Sequence, residues 1–178
     1  IRAGSISRDV ACEKTSGEIE NQNQRRFDLV PQLVATVDAA LSHERNTQRQ
    51  VVEARNGLMA VQEAVAQAKQ TNDHDKINEL ADKSLESSKK LLAVTFENYP
   101  NLRANENLLG LQSQLEGTEN RLSQARRDYN DAVESFRTFS QNWGFMPYVQ
   151  SEDKWKMFKA QEGAKERPTI QFPSQSRG

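Results

Sequence analysis

The sequence predicts an all-α protein: an antiparallel four-helix bundle of long helices, followed by a short irregular aromatic C-terminal tail. Three observations carry this prediction. No proline interrupts Pro31 to Pro100, or Pro100 to Pro147, and the intervening stretches are rich in Ala, Leu, Glu, Gln, Lys and Arg, which favour helix. Apolar residues recur at steps of three and four, most cleanly at Leu108, Leu111, Leu115, Leu122, Ala125, Tyr129, Val133 and Phe136, the spacing of one helix face. β-branched residues never alternate over the length of a strand.

The first helix is expected over 7–29, with a thin apolar set of Ile6, Val10, Ile19 and Phe27. The residue before a proline is steered out of the α region, so a sharp turn is expected at Val30-Pro31, with Asp28 a cap for the next helix. A mere kink there would instead leave one very long rod. The second helix then runs 31–69 on Leu33, Val37, Leu41, Val51, Leu58, Val61 and Val65, with a polar stretch from Ser42 to Gln50. Thr71 to Asp75 reads as a loop and N-cap. The third helix, 74–98, takes its apolar face from Ile77, Leu80, Leu85, Leu91, Leu92 and Phe96, and Tyr99-Pro100-Asn101 stops it. The fourth is expected over 102–142. Ser151 would cap a short helix over 152–162, and the chain beyond Gly163 reads as extended. In domain terms, 1–8 is a juxtamembrane or flexible start, 9–142 the bundle, and 143–178 the tail.

Composition excludes several functions. Of 178 residues, 35% are hydrophobic, a fraction that suits a narrow core of long helices rather than a thick sandwich. Lys plus Arg is 24 and Asp plus Glu is 25, a net charge of −1. This balance gives no bulk pull toward nucleic acid or anionic lipid. One cysteine, Cys12, allows no internal disulfide. No apolar run reaches the roughly 18–20 residues of a membrane span.

No constellation of catalytic residues stands out. His43-Glu44 begins like a zinc-protease motif, but the second histidine that would share its face is Thr47. Asp73-His74-Asp75 lies at a helix start, where capping explains it. Cys12 has neither a second cysteine nor a histidine beside it. No phosphate-binding glycine loop and no nucleophile–base pair appears, so catalytic, cofactor-binding and metal-ligating residues are all predicted as none. What remains is a candidate structural polar network of Arg26, Asp28, Asn105, Glu119, Arg126 and Tyr129. In it, Glu119 recruits an arginine from another helix and the network fixes helix register. The aromatics Trp143, Phe145, Tyr148, Trp155 and Phe158 are expected to plug the open end of the bundle, the alternative being an exposed patch for a partner or a membrane surface.

Several long segments resemble one family. Gln24-Arg25-Arg26-Phe27-Asp28-Leu29-Val30-Pro31-Gln32-Leu33-Val34, then Thr36-Val37, is similar to its RRxDLIPNLVxTV segment. His43-Glu44 and Glu53-Ala54-Arg55 match the continuation. Glu97 to Asn107 resembles EAYPxLKANENF, and Leu115 to Leu122 with Ala125 to Val133 resembles LEGTENRI and ARRDYNEAV. Pro168-Thr169-Ile170-Gln171-Phe172 is similar to its closing PxVxF. The chain is identified from these as a member of the LemA family, over about residues 9–140 and the last ten or so. Departures are Ser16 and Asn23, where the family often has Trp and Tyr, and Ser135-Phe136 in place of a repeated YN pair.

The resemblance implies a bundle of long helices and a bacterial envelope protein. It also implies an N-terminal transmembrane helix absent from this chain, with the bundle outside the cytoplasm. It transfers no biochemical activity and no cofactor. The function expected is a structural or adaptor module whose partners are other envelope proteins or copies of itself. One alternative is a homo-oligomeric scaffold in membrane organisation or remodelling. A ligand-binding or hydrolytic protein using the polar cluster is the other.

Overall fold

The computed structural model describes residues 2–42, 48–142 and 155–158. Four α-helices occupy them: α1 (Arg2–Ala40), α2 (Arg49–Gln70), α3 (His74–Asn98) and α4 (Glu106–Asn142), with a 3-10 turn over Pro100–Ala104 between α3 and α4. No strand occurs among the described residues. The all-α bundle predicted from periodicity is what the chain forms.

The expected turn at Val30-Pro31 is not there. α1 runs through Pro31 without a break, and the expected second helix over 31–69 is divided between α1 and α2. Proline in a helix interior costs about 3 kcal/mol, because it removes a hydrogen bond and crowds the preceding turn. Two features offset that cost. Phe27, Leu29, Val30 and Leu33 around it are all buried, each worth about 1.5–3 kcal/mol against exposure. The Phe27 carbonyl, which the missing Pro31 N–H would have served, accepts from Gln62 Nε2 of α2 at 3.4 Å. α1 ends instead at Ala40, at the start of the polar stretch beyond Leu41, and α2 begins at Arg49. His43 and Glu44 fall in that connection, outside the described residues.

The second turn follows the sequence closely. Asn72 takes a left-handed φ of 51°. Asp73 N–H donates to Ala68 O and Asn72 N–H to Lys69 O, the pair of bonds by which a helix closes its last carbonyls. Asp73 Oδ1 then accepts from Lys76 N at 3.0 Å and caps α3. At the far end of α3, the Tyr99 hydroxyl accepts from Gln48 N at 3.0 Å. This ties the start of α2 to the end of α3. α4 starts at Glu106 rather than 102, because Pro100–Ala104 forms the 3-10 turn first.

The helices differ in length, and this sets the architecture. At 1.5 Å per residue, α1 (39 residues) and α4 (37 residues) run about 58 and 56 Å. By the same rise, α2 (22 residues) and α3 (25 residues) run about 33 and 38 Å. The core therefore changes along the rod. At the α1–α2 turn, all four helices contribute, with Leu33, Val37, Leu58, Leu91 and Leu108 among the buried residues. In the middle, Phe27 packs with Val65, Ala68, Leu80 and Ala81 of the α2–α3 hairpin. Beyond the hairpin, of the described helices, α1 and α4 continue, joined through Cys12, Ile19, Leu122, Ala125, Tyr129, Val133 and Phe136.

Residues 155–158 cover this two-helix arm as a strap. Trp155 and Phe158 pack onto it, as the reading of the aromatics as a plug anticipates; Trp143, Phe145 and Tyr148 lie outside the described residues. The helix expected over 152–162 is not formed in its described part, since Trp155–Phe158 is irregular. Its backbone groups have other partners. Asn130 donates from Nδ2 to Phe158 O and accepts Phe158 N–H on Oδ1, and Arg137 donates to Trp155 O. The indole N–H of Trp155 donates to Asp9 at 2.9 Å. The expected flexible start is helical from Arg2, and Ile6 and Val10, expected on its inner face, are 50% and 55% exposed. Cys12 takes the buried position instead.

The Pro31 account is testable by a double-mutant cycle in urea unfolding. Gln62→Ala should cost about 1 kcal/mol in the native sequence, the net worth of one hydrogen bond. In a Pro31→Ala background, where the backbone N–H serves Phe27 O itself, the same change should cost only a small fraction of that. Equal costs in both backgrounds would mean that Gln62 does not compensate the proline.

Candidate functional site

The buried face of α1 carries polar residues where a simple stripe would be apolar. Ile19, Asn23, Arg26, Val30, Leu33 and Val37 follow each other at steps of three and four, and all are buried. Arg26 is only 3% exposed, so its charge needs a counter-ion. α3 supplies it. Arg26 Nη1 lies 3.0 Å from Asp82 Oδ1 and also donates to the Ala81 carbonyl at 3.4 Å. From α4, Arg126 Nη2 reaches both oxygens of the same carboxylate, at 3.0 and 3.2 Å. Asp82 thus takes two guanidiniums from two different helices. Burial pushes the Arg26 pKa down from its usual value, and the Asp82 charge and hydrogen bond oppose that.

A second, more exposed set of pairs borders this clamp. Lys89 of α3 meets Glu119 of α4 at 2.6 Å. Glu79 accepts from Lys76 at 2.9 Å and Lys83 at 2.7 Å, and hydrogen bonds to these two lysines, Lys83 first, hold its pKa at about 2. Together with the clamp, Glu79, Lys83, Lys89 and Glu119 line a groove of about 430 Å³ between α3 and α4. Its four cations, Arg26, Lys83, Lys89 and Arg126, face four carboxylates, Glu79, Asp82, Glu86 and Glu119.

Three of the six residues expected in one polar network line this groove: Arg26, Glu119 and Arg126. The arginines share Asp82 rather than Glu119, whose pairing goes to Lys89. Asp28 lies on an exposed face of α1, accepting from Gln24 at 2.6 Å. Asn105 caps α4, its Oδ1 accepting from Asn107 N and Leu108 N. Tyr129 sits one turn beyond Arg126, edge-on to Trp155 and Phe158 with ring centroids 6.4 and 5.4 Å away. Burial raises its phenol pKa. Arg126 links the two regions, because its guanidinium lies over the Phe158 ring at 5.3 Å.

Sequence reasoning missed Asp82, although a signal was present. Asp75, Glu79, Asp82 and Glu86 recur at steps of four, three and four, an acidic stripe along α3 that a basic partner must answer. Asn23 was missed as well; it is buried, and its Nδ2 donates to Asn78 Oδ1 at 2.6 Å.

Chemically, the clamp holds helices together. Both Asp82 oxygens are occupied by guanidinium N–H groups, and Glu79 and Glu119 are bound by lysines. His74 reaches Glu20 at 3.5 Å. Among the described residues, no group of three or more His, Cys, Asp or Glu is placed to hold a metal ion.

Removing a shared counter-ion should be costlier than removing a surface one. Asp82→Asn leaves two guanidiniums facing each other and should cost about 2–3 kcal/mol in urea unfolding, at or below the low end for a buried pair because Asp82 is 36% exposed. Glu119→Gln should cost under about 1 kcal/mol. Replacing the whole clamp, with Arg26→Met, Asp82→Leu and Arg126→Leu together, should return stability to within about 1 kcal/mol of the parent. A triple variant as unstable as Asp82→Asn would contradict this account.

Glu79 gives a pH prediction. Its folded pKa of about 2 lies below the ordinary 4.5, so the unfolded chain binds the proton first. Its contribution is present above pH 4.5 and fades as pH falls toward 2. Glu79→Gln should flatten the acid limb of stability in that window. The difference should shrink in about 0.5 M salt, because the pairs are exposed and screened.

Comparison with known families places residues 15–172 in a match to the LemA family, and the chain belongs to that family. No curated protein matches it.

Proposed function

We propose that this LemA-family chain is an adaptor of the bacterial envelope, a rigid spacer that presents a helical head to a partner protein. The observation supporting this most directly is the mid-rod clamp. Through Asp82 it locks α1, α3 and α4 in one register, where the core passes from four helices to two. A rod fixed this way holds its ends about 58 Å apart.

Under this reading the α1–α4 arm points toward the membrane and the four-helix end is the head. The reading takes its anchor from the transmembrane helix that the family resemblance implies; no helix among the described residues is long and apolar enough to cross a bilayer. At the head, Leu109 is 45% exposed and borders a groove of about 490 Å³ with Phe96 and Ala93. Exposed apolar surface at such a position suits contact with another protein. The carboxylates Asp82, Glu79 and Glu119 are bound by arginine or lysine, which fits a holding role better than hydrolysis.

The test is photo-crosslinking in cells of the anchored, full-length protein, with the reactive side chain at position 109, and at Glu63 on α2 as control. Reproducible capture of one envelope protein from position 109, at several times the control yield, supports the adaptor reading. Capture of the chain itself alone replaces it with a homo-oligomeric scaffold. Equal yields from both positions remove the head as the contact surface.

A further inference from the structure

The strap gives the chain a direction. Arg137 donates to the Trp155 carbonyl, Asn130 holds both backbone groups of Phe158, and the Arg126 guanidinium lies over the Phe158 ring. The strap therefore runs antiparallel to α4, and at Phe158 it leaves toward the clamp. The chain then continues beyond the described residues. We propose that it follows the seam between α3 and α4, and that Ile170 and Phe172 dock in the head groove beside Phe96 and Leu109. The docking does not depend on the adaptor reading. Only its consequence does: a partner that binds at Leu109 must first displace the chain's own segment, which makes the contact autoinhibitory.

Two grooves mark the route. The first is the clamp groove, which starts beside Phe158 at Arg126 and is lined by α3 from Glu79 to Lys89 and by α4 from Glu119 to Arg126. The second lies further along the same two helices, lined by Ala93, Phe96 and Glu97 of α3 and Leu109 and Gln112 of α4. The tail is long enough to reach it. Gln112 stands fourteen residues before Arg126 on α4, about 21 Å at the helical rise. Ile170 stands twelve residues after Phe158, about 40 Å of extended chain.

The order of residues in the tail matches the order of surfaces on the route. Residues 159–167 carry both signs of charge, in Lys159, Glu162, Lys165, Glu166 and Arg167, and they cross the groove where four cations face four carboxylates. The apolar residues come next, where the surface turns apolar. Leu109 is 45% exposed there, and Phe96 is partly buried against the core. Pro168 and Pro173 bracket the pair and oppose helix. Residues two apart share one side of an extended chain, so Ile170 and Phe172 form a single apolar edge. A segment tethered to the surface it binds is present at an effective concentration on the order of millimolar. That advantage favours the chain's own tail over a second copy.

The test uses the purified full chain, with Phe172 replaced by the photo-reactive p-benzoylphenylalanine and mixed with an equal amount of the same chain labelled with heavy isotopes. The expected result is a crosslink within one chain, from position 172 to the peptides that hold Phe96, Leu109 or Gln112. Leu109→Asp, an exposed change, should lower its yield at least about fivefold, within the loss expected when a buried apolar contact is removed. Ile170→Asp, in the tail itself, should do the same without touching the bundle. Crosslinks mainly to the α1–α4 arm or to α2, crosslinks only between chains of different isotope, or no crosslink at all would each overturn the proposal. So would an unchanged yield in either variant. Partner capture plays no part in this readout, so failure here leaves the adaptor reading standing, and failure of the adaptor reading in cells leaves the docking standing.

Discussion

A carboxylate shared by two arginines is the interaction on which the middle of this molecule depends. A narrow bundle has little apolar surface to spend, and here three of its helices meet around a charge. Arg26 is buried so fully that its guanidinium would be costly without Asp82. Asp82 in turn reaches Arg126, so a single side chain of α3 fixes the rotation and the height of both long helices. Apolar stripes alone permit α1 and α4 to slide by a turn, because leucine on leucine looks similar in each register. An ion triad does not. Such a triad is expected to yield little energy against a hydrophobic replacement, and its demand for exact geometry disfavours shifted alignments.

The position of that triad matters as much as its chemistry. On one side of it lies a four-helix core, and on the other a two-helix arm. The arm buries Cys12, Leu122 and Val133 but has no α2 or α3 to close its flank. Trp155 and Phe158 supply the missing cover, held by side chains of α4 that bind the strap's backbone rather than its side chains alone. Arg126 belongs to both systems, pairing with Asp82 below and lying over Phe158 above. The clamp and the strap are therefore one continuous network.

How far the sequence shows this varies by helix, for physical reasons. α3 and α4 are legible. Their apolar steps are regular, Asp73 announces a cap, and every residue of the predicted α4 stripe is buried. The one gap in that stripe, between Leu115 and Leu122, is filled by Thr118, whose hydroxyl is satisfied by the Leu115 carbonyl. α1 is illegible because its buried face includes Gln22, Asn23 and Arg26, which pattern reading assigns to solvent. Pro31 misleads for a related reason: local propensity predicts a turn, while burial on either side and a glutamine from another helix make the helix continue. Arg26 and Arg126 were legible as members of a polar network, with Glu119 as the expected carboxylate; Asp82 takes that place. Which carboxylate they share depends on the height at which α3 passes, and no local pattern encodes that.

The strap also has a consequence for the order in which the molecule is completed. The Trp155 indole bonds to Asp9, 146 residues earlier in the chain. The α1 half of the arm is therefore made long before its cover. Until α4 and then the strap are made, the inner face of early α1 has neither to pack on, and contacts this distant in sequence close late. A surface that must wait so long for its own partner is the one most in need of protection by a chaperone while the chain is still growing.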